Sequence, residues 1–407
     1  MNIAVPVPST TPQIPLPERT AIGFAGDRGT FFQLLLKGSL LLIPTAGFYR
    51  FWLITDIRRH LWGNTRIGRE TLEYTGTGRE LLIGFMIALA VLAPIYVAYF
   101  AAGLAAERLK AFASLPLFLA LYVFGQYAAY RARRYRATRT VFRGVRFWMT
   151  GSPWRYAGRT FLWDLATALS LGLALPWRMA ALERYKMQNT RFGDLPGGFV
   201  GTGGALFRRG IALWGLAAGI PIAGGALALA LAGHGAAQGV VLGGTALVMM
   251  IALPIAFVLF RGTVMRWLIE GVRFGAVSLE SSLRRDTVFG CYLKWIAATI
   301  GYGMVFGAVA GAAVAARAGG WRKLGENLAG NWTSHILDGV AIFVFYLVFL
   351  LGLGVLKRYF IDRGLWVAVA DSTTVVNLRA ADHVTAAGEP AGSLGEGLAD
   401  ALDVGAI

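Results

Sequence analysis

Residues 45–84 return at 170–209 with a fixed offset of 125 positions and no gap, and 11 of the 40 aligned positions are identical. The identities include Trp52 with Trp177, Arg59 with Arg184, Asn64 with Asn189, Thr65 with Thr190, Arg66 with Arg191, Gly68 with Gly193, Gly76 with Gly201 and Gly78 with Gly203. Chance agreement between two apolar segments would fall mainly on aliphatic residues. The chain therefore reads as an internal duplication, and a repeat constrains architecture before any side-chain chemistry does. On this reading a tail at 1–22 precedes a first membrane repeat at 23–148 and a second at 149–275. Residues 276–378 hold further membrane helices with a degenerate third copy, and 379–407 form a second tail. Both tails are expected to be disordered, one rich in Pro and Thr, the other in Ala, Gly and acidic residues. The N-terminal segment shows no signal-peptide pattern of basic segment, apolar core and cleavage site.

With 56% hydrophobic and 15% charged residues, the chain carries more apolar surface than a soluble core absorbs. Charge-poor runs at 81–106, 111–130, 211–233, 236–260, 287–316 and 336–356 each approach the length of a bilayer span. Helices are the expectation, because an isolated strand in lipid leaves its backbone groups unpaired and no long alternating pattern signals a barrel. Two shorter apolar stretches, 31–54 and 159–177, are interrupted by Lys37 and Pro44 and by Asp164. The predicted fold is an all-α multipass membrane bundle of about six full transmembrane helices plus two short re-entrant or interfacial hairpins; eight transmembrane helices are the alternative.

Charge placement separates the topologies. Six crossings put loops 55–79, 131–159, 178–210 and 261–288, both tails and Arg50 on one face, which then holds 32 of the 39 Lys and Arg. The opposite face holds Arg108, Lys110, Arg317, Arg322 and Lys323. The basic face is expected to be cytoplasmic, with the two copies parallel rather than inverted. The net charge of +17 is thus first a matter of topology. The basic loops, above all 131–159 with nine arginines, suit anionic phospholipid headgroups. No soluble domain is long enough to present such a surface to nucleic acid.

Arg50–Trp62 places Phe51, Ile54, Ile57 and Leu61 near one face and reads as an interfacial helix. The Thr-rich, Gly-punctuated segment after it reads as a short cytoplasmic β-hairpin. Related pieces stand at Gly144–Phe147, at Gly271–Phe274 and, more distantly, at Gly364–Val369, and could pair into a small cap. The order Thr-Ala-Gly-Phe-Tyr-Arg-Phe-Trp, then Arg-Arg-His-Leu-Trp-Gly-Asn-Thr-Arg-Ile-Gly, then Glu-Tyr-Thr-Gly-Thr-Gly resembles the YjgN-like family of bacterial inner-membrane proteins. The resemblance covers most of 20–370 and implies multipass inner-membrane placement. It brings no activity, cofactor or substrate.

Candidate chemistry is sparse. The single cysteine, Cys291, excludes an internal disulfide, and the four histidines show no metal-ligand spacing. No nucleophile set is present, and neither a metal nor a cofactor is expected. Gly76-Thr77-Gly78 and Gly201-Thr202-Gly203 lack the Lys-Ser/Thr of a P-loop and read as turns. Asn64-Thr65 and Asn189-Thr190 read as helix exits. Gly303, Gly307 and Gly311, with Gly215 and Gly219, read as close-packing helix faces.

The candidate functional residues are the intramembrane charges Lys37, Asp164 and Lys294, because a charge in hydrocarbon costs at least ~2.5–3.5 kcal/mol on insertion scales. Lys37 and Asp164 occupy corresponding elements and are expected to pair across a pseudo-twofold axis. Arg58 and Glu183, equivalent in position and opposite in charge, are expected to meet near the same axis. No pattern assigns an activity. The readings, in order, are a structural or scaffold membrane protein, a transporter or channel for a small solute, and a lipid-modifying membrane enzyme.

Overall fold

The computed structural model describes residues 18–105, 110–317 and 336–392, together with Glu396, Gly397 and Ala399. Strand β1 (Arg19–Phe24) comes first, and helix pairs then alternate with two-strand hairpins. Helices α1 (Arg28–Leu42) and α2 (Arg50–Gly63) lead into β2 (Thr65–Ile67) and β3 (Glu70–Tyr74). Helices α3 (Gly78–Ala105) and α4 (Lys110–Arg139) lead into β4 (Thr140–Phe142) and β5 (Val145–Met149). Helices α5 (Pro153–Leu169) and α6 (Leu175–Gln188) precede β6 (Thr190–Phe192) and β7 (Leu195–Phe199). Helices α7 (Gly203–Ala230) and α8 (Gly235–Gly271) precede β8 (Val272–Phe274) and β9 (Val277–Ser281). Finally α9 (Arg285–Arg317), α10 (Ile336–Lys357), a π turn at Arg358–Asp362 and α11 (Arg363–Asp371) lead to β10 (Thr373–Val376).

Each change from helix to strand has a local cause. Thr65, Thr140, Thr190 and Thr373 open their strands and donate their hydroxyls to the carbonyls of Leu61, Arg136, Lys186 and Val369, at 2.7, 2.9, 2.8 and 2.6 Å. A threonine therefore satisfies a carbonyl that the ending helix would orphan, and its branched side chain suits the strand that follows. The side-chain amides of Asn64 and Asn189 do the same for His60 and Tyr185. Gly68, Gly193 and Gly275 take φ of 64°, 54° and 53° at the first position of two-residue turns, a left-handed conformation that permits tight hairpin reversal.

The helices that leave the hairpins are capped in turn. Asp27, Thr77, Ser152 and Thr202 accept first-turn amides of α1, α3, α5 and α7. The glycine before the cap makes room: a Cβ at Gly26, Gly76 or Gly201 would stand 2.6, 2.7 or 2.6 Å from the ring of Phe24, Tyr74 or Phe199.

The six strand pairings outside the hairpins close a ring. The order is β1-β10-β9-β8-β7-β6-β5-β4-β3-β2, a closed barrel with every neighbour antiparallel. Phe142, Phe192, Val277 and Val375 fill its interior, packed by Ile67, Leu72, Phe147 and Phe274. Leu378 and Ala381 of a short 3-10 helix, Leu378–Ala381, join the same core. Arg66 and Arg191 take alternate positions and are exposed.

The all-α bundle expected from the sequence is therefore corrected: a ten-strand antiparallel barrel joins the helices. Strands of three to six residues are too short to show a period of two, and their partners lie far along the chain. Arg19–Phe24 is a strand rather than part of a disordered tail, Gly364–Val369 is helix, and Asp382–Gly392 continues past the barrel with specific contacts.

The six apolar runs fall on α3, α4, α7, α8, α9 and α10, and five helical spans among the described residues are long and apolar enough to cross a membrane. The front elements 31–54 and 159–177 are the helix pairs α1 with α2 and α5 with α6, turning at Ala46-Gly47 and Leu171-Gly172, all with positive φ. Helices of 14 to 17 residues span only about 21–26 Å at 1.5 Å per residue, short of the hydrocarbon layer. A Cβ at Gly215, Gly219, Gly303 or Gly307 would meet nothing, so these are not packing faces; Gly210 against Phe260 and Gly352 against Tyr302 are. Arg108, Arg322 and Lys323 lie outside the described residues.

Adjacent glycines give a test of this packing. A Cβ at Gly203 would sit 2.7 Å from the backbone Cα of Trp177, whereas one at Gly204 would meet nothing. Gly203→Ala should lower unfolding stability in detergent by roughly 1–3 kcal/mol. Gly204→Ala should raise it by roughly 0.5–1 kcal/mol, since alanine favours the helix. Equal effects from the two substitutions would reject the close crossing.

Candidate functional site

The residues repeated at offset 125 are positioned by one another. Arg59 donates to the carbonyl of Gly76 and Arg184 to that of Gly201, at 2.9 and 3.4 Å. Trp52 lies against Gly78 as Trp177 lies against Gly203. With the Asn and Thr exits and the glycine turns, the motif pins each incoming helix to the start of the next outgoing one. These contacts give the motif residues a fold-specifying role.

Beneath the barrel the same helices gather buried charge. Arg58 on α2 is 3% exposed and pairs with Glu396 of the C-terminal segment while donating to the Tyr74 hydroxyl at 3.0 Å. Burial works against the Arg58 charge, and Glu396 and Tyr74 more than offset it, so its pKa is raised. On α6, Glu183 accepts from Arg133 of α4 at 2.8 Å and also pairs with Lys186. Burial alone would raise the Glu183 pKa, but the two cations bring it below the ordinary value. Arg139 and the Tyr135 hydroxyl both donate to Glu80, at 3.0 and 2.7 Å. Ala399 packs among Ala88, Leu92, Ala128 and Ala132 of α3 and α4.

The expected pairings are overturned here. Arg58 and Glu183 each take other partners, and Asp164 is held by the Tyr122 hydroxyl of α4 and by Arg178 of α6 rather than by Lys37. The reason is geometric: α2, α4 and α6 enter the ring side by side, so their neighbours along the ring meet before residues related by a twofold axis do. Lys37 is exposed on α1 and lines a cleft of about 400 Å³ with Tyr49, Asp56, Arg59 and His60. Burial raises the Asp56 pKa there, against the pull of Arg59 and Lys37. Lys294 is exposed on α9. Among the described residues no group of His, Cys, Asp and Glu is placed to hold a metal. Sequence reasoning missed Glu396, whose isolation in an Ala/Gly/Leu stretch is the signal that marks it, and Arg133.

Helix pairs hung from a closed, apolar-filled strand ring define a class of membrane-embedded fold. A family model described as bacterial protein of unknown function (DUF898) matches residues 19–401, and the chain belongs to that family. It is also similar to the inner membrane protein YjgN of Salmonella typhimurium, 25% identical over 124 residues. That stretch is 30% of this chain and 30% of the relative, so it spans less than a third of either. No solved structure matches the chain.

Two outcomes test the buried charges. Arg58→Met or Glu396→Gln should each cost about 3–5 kcal/mol of stability, with the double variant recovering part of the loss. Strictly additive losses in thermal unfolding would reject the pair. The second concerns His60, whose ring lies 5.1 Å from that of Phe31. Burial and nearby Arg363 hold its imidazole below the ordinary value of 6.5, against a smaller pull from Asp27. The unfolded chain then binds the proton more readily, so stability is fully present above that value and falls as pH drops through it. His60→Gln should flatten the stability profile as pH falls below 6.5; an unchanged slope would reject the assignment.

Proposed function

We propose that the protein is a multipass scaffold of the bacterial inner membrane, whose barrel gathers the helix pairs at the cytoplasmic surface. The filled barrel carries this reading. Its interior holds Phe142, Phe192, Val277 and Val375 beside Leu378, which favours a structural hub over an axial path for solute. Asp164, the best sequence lead for transport, is occupied by Tyr122 and Arg178 and lines neither the cleft beside Lys37 nor the arginine-lined cleft among α7, α8 and α9.

Several observations support the orientation. The hairpins of loops 55–79, 131–159, 178–210 and 261–288 belong to one barrel, which supports reading the basic segments as lying on one side. That arrangement agrees with a cytoplasmic basic face and parallel copies. The common pattern of threonine exit, glycine turn and capped helix supports reading the ring as a multiplied unit, extending the repeat at offset 125. The inner-membrane assignment follows the name of the similar protein. Anionic phospholipid headgroups are the partners that the exposed arginines suit.

Cysteine accessibility tests the filled barrel. With Cys291→Ser as background, Phe192→Cys should resist a small water-soluble thiol reagent, while Arg191→Cys next to it should react. Comparable labelling of both in folded protein would indicate a water-filled lumen and favour transport.

A further inference from the structure

A second cleft, about 600 Å³ in volume, opens where α7, α8 and α9 meet the barrel. Its walls carry Arg209 from α7, Arg266 from α8, and Arg284 and Arg285 at the start of α9. Glu270 draws two of these together, accepting from Arg209 at 2.9 Å and from Arg266 at 2.7 Å. Arg285 donates to the backbone carbonyl of Arg209 at 3.1 Å, which fixes it against the same wall. Arg284 grips Asp286 through two nitrogens, at 3.1 and 2.6 Å. Four guanidiniums against two carboxylates leave a local charge of 4 − 2 = +2. Each arginine has more N–H donors than these contacts use. The floor is tight because a Cβ at Gly262 would lie 3.3 Å from the backbone of Arg285.

The depth of this cleft narrows the ligand. The helices at its walls continue directly as the apolar spans Gly203–Ala230, Gly235–Gly271 and Arg285–Ala313. Leu253, Phe257, Leu293 and Ile296 are exposed on the same helices beyond it. A basic cavity thus sits at one end of a lipid-facing apolar surface. Anionic character is asked of one end of the ligand and hydrocarbon of the other.

We propose that this cleft binds the phosphodiester of an anionic phospholipid, with the acyl chains lying along α8 and α9. Planar guanidiniums match phosphate oxygens in pairs, and their convergence from three helices selects a compact dianion or monoanion over a neutral headgroup. A bound lipid would then tie α7 and α9 to α8 at the rim of the barrel. The proposal rests on the reading of the protein as membrane-embedded. It is separable from the filled barrel, which is read by cysteine labelling and not by lipid.

The test uses the full-length protein in neutral detergent, titrated with phosphatidylglycerol, with phosphatidylcholine and with inorganic phosphate, and reads the thermal unfolding midpoint. Phosphatidylglycerol should raise the midpoint saturably, phosphatidylcholine should not, and inorganic phosphate should do so only at far higher concentration. In Arg209→Gln/Arg285→Gln the phosphatidylglycerol concentration for half-maximal effect should rise at least tenfold. If that variant fails to fold, Arg266→Gln/Arg284→Gln, both exposed positions, should show the same weakening. An equal response to phosphatidylcholine, an unchanged titration in folded variants, or phosphate saturating as readily as lipid would each overturn the proposal.

Discussion

The structure depends on the pairing of its first strand with its last. β1 is six residues long, and it gives Arg19–Ala21 to β10 and Ile22–Phe24 to β2. Without it the remaining strands form an open sheet with two unpaired edges, which proteins otherwise protect by cover or charge. Closure also brings the two ends of the barrel into register: the Asn377 amide donates to the Glu18 carbonyl at 2.9 Å, and Asp371 accepts from the Phe24 amide at 3.0 Å. Arg363 donates to the Gly26 carbonyl at 2.8 Å, so the last helix holds the start of the first.

Once the ring is closed, the helices have little freedom. The helices that adjoin strands do so with at most three residues between, so the barrel circumference sets their spacing. The incoming helices stand next to one another, and this adjacency generates the part-buried Arg133–Glu183 pair and the tilted contact of Trp62 with Trp366, ring centroids 4.3 Å apart. The Trp62 and Trp366 indoles reach further still, donating to Thr140 and Thr65 at 3.0 and 2.9 Å. Hydroxyls that end one helix thereby accept from a neighbouring one. Between α3 and α4 stands Ala399, among the small residues of both helices, while nearby Glu396 pairs with Arg58.

Much of this was legible locally. Apolar runs located the long helices, and Asn64-Thr65 with Asn189-Thr190 stand at helix exits as expected; the Gly-Thr-Gly triplets, expected only as turns, supply the threonines that cap α3 and α7. What the sequence could not display was pairing at a distance. β2, β4, β6 and β8 have three residues each, too few to reveal alternation, and the two strands that close the ring are over 350 residues apart. Gly364–Val369 looks like a strand because its branched residues follow glycine, yet it supplies the helix that β10 needs before it. The partners of Arg58 and Asp164 were misread for one reason: a twofold axis was assumed where neighbours around a ring decide. Glu396 sits in a segment whose composition signals disorder, and only its pairing with Arg58 gives it a structural role.

Ring closure is tested most directly by joining its two ends. Ala21 and Thr374 are opposed in the register of β1 and β10, and neither is buried in the barrel core. Opposed residues in an antiparallel pair have Cα atoms about 4.5–5.5 Å apart, within disulfide range. In membranes containing the Ala21→Cys/Thr374→Cys variant on a Cys291→Ser background, mild oxidation should cross-link the two ends within one chain and change its mobility in a non-reducing gel. The combination Ala21→Cys/Ser278→Cys, which places the second cysteine on β9, one strand beyond β10, should remain open. Failure of the first pair to cross-link in folded protein, or equal cross-linking of both, would contradict a barrel closed by its terminal strands.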